Sequence, residues 1–356
     1  TCEERTNAML DKILAPLDGS ALADVVLPHI IALTRINGTK VTLLHVLETQ
    51  RTQAGQSGPA QVDPVEWNLR KAEAEGYLEE TAERIRACDV PTEQIVLEGR
   101  AAERIIDYAQ KGNFDLVAMS SHGQGGLSGW NLSSVSSKVV DRIRKSVLVI
   151  PAHNSLHQES EQNDLQSVRY RRILLPLDGS QRSECVLPVA DALARHHSAE
   201  LILAHVVTPP ETIQRMPLSH EDQALLKRIV ERNRTEATRY LEQLRTRLSS
   251  SATTRIVESD NVESTLLDMV ENESVDFVIL SAHGNSGHNE RAYGRLAAGF
   301  LNDGSVPLYI HQDLSVDEIQ PLYAERMMQT MKQPSGYQLP GFPTNINAYV
   351  MGYAVN

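Results

Sequence analysis

Apolar residues follow two alternating rhythms along the first part of this chain. Short, nearly unbroken apolar runs at Lys12 to Leu17, Val41 to Leu47, Gln94 to Leu97, Leu116 to Ser120 and Val147 to Ile150 read as buried strands. Between them, apolar residues recur at helical spacing in Ala21 to Thr34, Ala101 to Gln110 and Ser133 to Arg144. A longer, charged amphipathic helix is expected from Pro64 to about Ala87, opened by a proline that a first helical turn tolerates. Gln50 to Asp63 is rich in Gln, Gly and Pro and reads as an excursion loop, while Ser121 to Gly129 is a Gly/Ser-rich turn after the fourth strand. Continuous apolar strands alternating with helices predict an α/β fold, a parallel sheet covered on both faces.

The pattern then repeats. Ile13-Leu14-Ala15-Pro16-Leu17-Asp18-Gly19-Ser20 returns as Ile173-Leu174-Leu175-Pro176-Leu177-Asp178-Gly179-Ser180, and Ser121-His122-Gly123 returns as Ala282-His283-Gly284. A period this long means two whole domains rather than a solenoid of short units. We expect the first domain at 10–152, a polar linker at 153–169, the second domain at 170–311 and a C-terminal extension at 312–356. The matching long helix of the second repeat is expected from about Glu221 to Leu248. In the extension, Gln320 and Pro321 open a short expected helix to Met331. Beyond Lys332 the chain carries no charged side chain and is rich in Gly, Pro, Asn and Tyr.

Composition narrows the function classes. A chain of 356 residues with net charge −12 lacks the clustered basic surface a nucleic-acid binder uses. No apolar run approaches the roughly 20 residues needed to cross a bilayer, and no signal-peptide pattern opens the chain, so a cytoplasmic protein with neither membrane nor nucleic-acid partner is expected. Cys2, Cys88 and Cys185 lie far apart and form no CxxC pair, which predicts reduced thiols without a disulfide framework or metal site. His45 and His122, repeated as His205 and His283, read as hydrogen-bonding histidines at strand ends.

In open parallel sheets, ligands bind beyond the carboxyl ends of the strands, where the strand order reverses. Three segments converge there in each repeat: the exit of strand one at Asp18 (Asp178), the exit of strand two at Val46 (Val206), and the Gly/Ser loop from Ser120 to Ser134 that leads into a helix. Glycine permits close backbone approach, and a helix N-terminus offers unpaired N–H groups to phosphate oxygens. Ser134 and Ser136 add hydroxyl donors, and a strand-end Asp can take ribose hydroxyls, a metal-bound phosphate, or simply its own turn. No Ser-His-Asp or Cys-His constellation and no G-x-x-x-x-G-K-[ST] loop is present.

Pro-Leu-Asp-Gly-Ser, Leu-Leu-His-Val and Ser-Ser-His-Gly-Gln-Gly-Gly-Leu-Ser-Gly-Trp-Asn-Leu-Ser-Ser-Val-Ser together resemble the universal stress protein family, over nearly all of 10–152 and 170–311. The resemblance implies two Rossmann-like, doubly wound parallel-sheet domains in tandem, of the adenine nucleotide alpha hydrolase-like class, paired through their last strands. One branch of that family binds ATP through G-x-x-G-(nine residues)-G-(Ser/Thr). Carried over, its binding positions are Asp18, Val46, Ser120, Gly123, Ser133 and Ser134 in repeat one, and Asp178, Val206, Gly284 and Gly294 in repeat two. Ser120 and Ser133 replace two motif glycines in repeat one. Ser281 and Arg295 replace the first glycine and the Ser/Thr in repeat two.

Three readings follow. The first is a non-enzymatic stress-response protein that binds ATP or AMP, with Mg2+ accompanying ATP, as a sensor or regulator, mainly through repeat one. The second is a structural or interaction protein with decayed sites, whose tail drives assembly into a homo-oligomer. The third, a nucleotide hydrolase, lacks a readable water-activating group.

Overall fold

The computed structural model describes residues 10–36, 38–48, 63–126, 132–152, 164–210, 219–285, 292–314 and 318. Contacts divide the chain after Asp313, and the unit described below is the first. The excursion loop at 50–62, most of the polar linker, and the expected helix and aromatic run of the tail lie outside the described residues.

Each repeat contributes five strands. The first holds β1 (Lys12–Pro16), β2 (Lys40–Leu47), β3 (Thr92–Glu98), β4 (Leu116–Ser120) and β5 (Ser146–Ile150). The second holds β6 (Arg172–Pro176), β7 (Glu200–Val207), β8 (Ala252–Glu258), β9 (Phe277–Ser281) and β10 (Leu308–His311). All ten join one sheet in the order β3-β2-β1-β4-β5-β10-β9-β6-β7-β8. Pairing is parallel within each repeat and antiparallel only where β10 meets β5, with Tyr309 opposite Leu148. Strands of the two repeats therefore run in opposite directions, and their carboxyl ends open at opposite edges of the sheet.

Helices cover both faces. On one lie α1 (Ala21–Asp24), α2 (Leu27–Thr34) and α3 (Pro64–Arg86), with α6 (Gln181–Glu184), α7 (Leu187–His197) and α8 (His220–Arg247) as their second-repeat counterparts. On the other lie α4 (Ala101–Lys111), α5 (Ser134–Arg142), α9 (Val262–Asn272) and α10 (Arg295–Asp303). Alternation along the strands assigns the layers: Ile13 and Ala15 face the α2/α3 side, and Leu14 faces the α4/α5 side. The single helix expected over Ala21 to Thr34 is instead two. Pro28 has no N–H for the carbonyl four residues back and its ring crowds that carbonyl, so α1 ends at Asp24; Pro188 ends α6 at Glu184 in the same way.

The two repeats share one core. Tyr170, 2% exposed, leads into β6, stacks with His29 of α2 and packs at a tilt against His197 of α7 and Phe277 of β9, and its hydroxyl bonds His29 Nδ1 at 2.8 Å. At the seam the Tyr293 hydroxyl donates to the Lys145 carbonyl at 2.9 Å, and the Gln312 N–H donates to the Ser146 hydroxyl at 3.1 Å. Cys88 is a free thiol, whereas Cys185 is disulfide-bonded. That corrects the expectation of reduced thiols throughout. Among the described residues no helix is long and apolar enough to cross a membrane.

Candidate functional site

Strand order reverses between β1 and β4, and again between β6 and β9. At the first of these points Asp18 leaves β1 through a turn whose Gly19 has φ +80, the left-handed region that a side chain disfavours. The Asp18 carboxylate ties two loops together. Its Oδ1 accepts the Ser20 N–H at 3.1 Å and the Ser20 hydroxyl at 2.6 Å, while its Oδ2 accepts the Gln124 N–H at 2.6 Å. A Cβ added at Gly123 would overlap the Asp18 carboxylate, so glycine is required by close approach. Repeat two matches: Asp178 accepts from Ser180 at 2.9 Å and 2.6 Å and from Asn285 at 2.6 Å, and a Cβ at Gly284 would overlap it. Burial pushes the Asp178 pKa up, but the hydrogen bonds from Ser180 and Asn285 outweigh it and hold it below the ordinary range.

The loop after β4 leads to the N-terminus of α5, which is pinned to the strand exit. Ser133 N–H donates to the Ser121 carbonyl at 2.8 Å, and the Ser136 hydroxyl donates to the Ser120 carbonyl at 3.0 Å. The Ser120 hydroxyl turns back onto the His122 carbonyl. Ser133 is the N-cap of α5, its hydroxyl accepting the Ser136 N–H at 3.2 Å. The corresponding residue of α10, Gly294, has no side chain to cap with, and Arg295 stands exposed as the first helical residue. A Cβ at Gly294 would come within 3.3 Å of the Ala282 carbonyl oxygen, tight but not excluded. One repeat thus caps its helix end with a side chain, and the other has no side-chain cap among the described residues.

Three of the repeated histidines, His122, His205 and His283, are anchors. His205 Nδ1 donates to the Leu177 carbonyl at 2.7 Å, fixing the turn at β6. In repeat one the Ser121 hydroxyl lies 3.0 Å from His122 Nδ1 and accepts the Ala152 N–H at 2.9 Å. Repeat two has Ala282 at the Ser121 position, and Asp313 takes over. Its buried carboxylate accepts from both N and Nδ1 of His283, at 3.0 and 2.8 Å, and pairs with Arg182 at 2.7 Å. Burial pushes the Asp313 pKa up, but these partners win and hold it below the ordinary carboxylate value. Arg182 and Asp313 are 131 residues apart, and only the absence of Ser121's hydroxyl from repeat two hints at the cluster in the sequence.

Asp18, Ser120, Gly123, Ser133 and Ser134 thus meet at the carboxyl ends of β1 and β4, with Asp178, Gly284 and Gly294 in the matching places at β6 and β9. Val46 and Val206 are half-buried near the ends of β2 and β7 and pack toward the α4/α5 and α9/α10 layer. His45, beside Val46, faces the α3 side, and burial holds its pKa below the ordinary histidine value. Among the described residues no cluster of three or more His, Cys, Asp or Glu forms a metal cage.

Compared with known proteins, the profile of the universal stress protein family matches this chain twice, at residues 9–151 and 169–311. A universal stress protein of Methanocaldococcus jannaschii is 28% identical over 161 residues, which is 42% of this chain and 99% of that protein. Among solved structures, a functionally unknown protein of Pseudomonas aeruginosa superposes with a TM-score of 0.63 at 14% identity, covering 90% of this chain and 99% of that one. A universal stress protein of Archaeoglobus fulgidus gives 0.58 at 18% identity over 86% and 99%.

Proposed function

Since the chain belongs to the universal stress protein family and carries its domain twice, we propose that it is a stress-response protein that binds an adenine nucleotide, ATP or AMP, as a sensor or regulator, mainly through repeat one. The observation that carries this reading is the Asp18 latch. By holding the Gln124 N–H, Asp18 draws the Gly123 loop against the exit of β1, beside the pinned N-terminus of α5. Backbone N–H groups on a glycine loop and a helix N-terminus form a cradle suited to phosphate oxygens. Ser133 and Ser134 stand at that helix end, while the buried hydroxyls of Ser120 and Ser136 are spent on the His122 and Ser120 carbonyls. A Mg2+ ion arriving with ATP would rest on phosphate oxygens, because the Asp18 carboxylate is taken up by Ser20 and Gln124.

The test is release of bound small molecules by heat from freshly purified full-length protein, followed by chromatography and mass analysis, together with melting curves in ATP–Mg2+. Nucleotide near one per chain, or a melting temperature that rises with ATP concentration, supports the reading. A ligand at about 100 times its Kd stabilises by about 2.7 kcal/mol. Protein that is ligand-free and unmoved by ATP or AMP overturns it.

A second reading rests on Ser133. Its hydroxyl occupies the Ser136 N–H that a phosphate would otherwise engage, which favours a repeat that is closed upon itself and serves as scaffold.

A further inference from the structure

The long helix of each repeat outreaches the sheet that it covers. Because α3 joins the carboxyl end of β2 to the start of the parallel β3, its N-terminus stands at the carboxyl edge, the edge of the candidate site. Buried side chains on α3 begin only at Ala74 and continue through Leu78, Thr81, Ala82 and Ile85. The ten residues before Ala74 therefore carry the helix about 15 Å beyond its first buried side chain, at 1.5 Å per residue. Helical spacing decides which of them face inward: Trp67 lies seven residues above Ala74 and eleven above Leu78, on the same stripe, and Arg70 lies four above Ala74. Val65 and Leu69, off that stripe, are 75% and 59% exposed.

Trp67 is half-buried, yet among the described residues it packs against neither buried cluster. A tryptophan on the core stripe, above the core and outside its packing, therefore stands on the inward side of α3 at the carboxyl edge of the sheet. Arg70 is half-buried too, and its positive charge reaches His45 at the exit of β2, where it adds to burial in disfavouring the imidazolium. Lower on α3, the Tyr77 hydroxyl bonds Asp24, which fixes the helix against α1 just beyond the Asp18 turn. The second repeat lacks this wall. Aligning Ala74 with Ala237 and Leu78 with Leu241 places Val230 and Asn233 where Trp67 and Arg70 stand.

We propose that the overhang of α3 is a ligand wall particular to repeat one, with Trp67 stacking on the base of the nucleotide and Arg70 adding positive charge at the mouth of the crevice. This rests on the nucleotide reading above and extends it to how the base is gripped. Base–aromatic stacking of about 1–3 kcal/mol corresponds to about five- to 150-fold in affinity.

The experiment is calorimetric binding of AMP and ATP to the full chain and to Trp67→Ala, Trp67→Phe, Arg70→Met and Val230→Ala. Trp67→Ala is expected to weaken both nucleotides at least fivefold, Trp67→Phe to restore most of that, and Arg70→Met to weaken ATP more than AMP and flatten its salt dependence. Val230→Ala should change nothing, and Trp67→Ala should melt with the wild type, since Trp67 lies outside the core. In a Trp130→Phe background, which leaves Trp67 as the one tryptophan, saturating AMP should quench the emission. If nucleotide binds, and Gly123→Val abolishes binding while Trp67→Ala leaves it intact, the wall is wrong and the nucleotide reading stands. If the wild-type chain binds no nucleotide, both fall.

Discussion

The Asp18 carboxylate lies 2.6 Å from the backbone nitrogen of Gln124, across 106 residues of sequence, and Asp178 repeats the contact with Asn285 at the same distance. In both repeats the adjoining glycine has no room for a side chain. Gly123→Ala should therefore force the latch open. We expect each of Gly123→Ala and Asp18→Ala to cost about 1–3 kcal/mol, the range for losing a hydrogen bond to a charged group. The costs should not add: once Asp18 is alanine, a Cβ at 123 meets empty space. Urea denaturation of the two single variants and the double variant measures the coupling, and strict additivity would contradict the collision.

Ser133 and Gly294 occupy the same place before α5 and α10. Ser133→Gly should release the Ser136 N–H at a stability cost of only a few tenths of a kcal/mol, because glycine is itself an acceptable N-cap. If the cradle binds phosphate, affinity for ATP should rise severalfold in this variant. Binding that falls would instead mean that the Ser133 hydroxyl itself serves the ligand.

The histidines around Tyr170 set a pH window. Burial holds His29 down to about 4, and burial with the neighbouring His196 charge holds His197 down to about 4 as well. The unfolded chain takes up these protons below about pH 6.5, whereas the folded chain resists until about pH 4. Stability should be full above pH 6.5, fall as pH drops from 6.5 to 4, and level off below. Each histidine contributes a slope of at most about 1.4 kcal/mol per pH unit. The difference between wild type and a His29→Gln/His197→Gln double variant, followed by urea midpoints from pH 7.5 to 4.5, should isolate this slope from carboxylate titration. Parallel profiles would refute it.

Asp313 joins Arg182 to His283 in repeat two. Asp313→Ala should destabilise the protein by about 3 kcal/mol, as expected when one member of a buried charge pair is removed. Replacing all three supports with the residues of repeat one (Arg182→Leu, Ala282→Ser, Asp313→Ala) should recover part of that loss. Equilibrium denaturation that ranks the triple variant below the single one would show that the two solutions are not interchangeable.

Much of this architecture is legible in the residues. Apolar runs such as Leu116 to Ser120 mark the strands, and the recurrence of Asp-Gly-Ser and His-Gly marks both the repeat and the loops that meet at the switch point. The break in the first helix was also written there, in Pro28 and Pro188, but periodicity alone carried the reading across it. What could not be read are the pairings that depend on distant segments meeting: Asp18 with the Gln124 N–H, Arg182 with Asp313, and Tyr170 between two histidines. Spacing reports which face a residue occupies. It does not report which hydroxyl or carboxylate faces it there, and Ser133 shows the difference: a departure from a glycine motif in the sequence is a helix cap in the structure.

The antiparallel meeting of β5 and β10 turns what two separate chains would achieve by association into a property of a single molecule. Dilution cannot part the halves, and neither half has to remain its own mirror. In a pair of identical chains every substitution appears twice, once in each pocket. Here a serine can cap one helix end while a glycine starts the other, and one long helix can carry a tryptophan where its counterpart carries valine. The seam thus lets the two carboxyl edges of one sheet diverge in their residues while the halves stay joined.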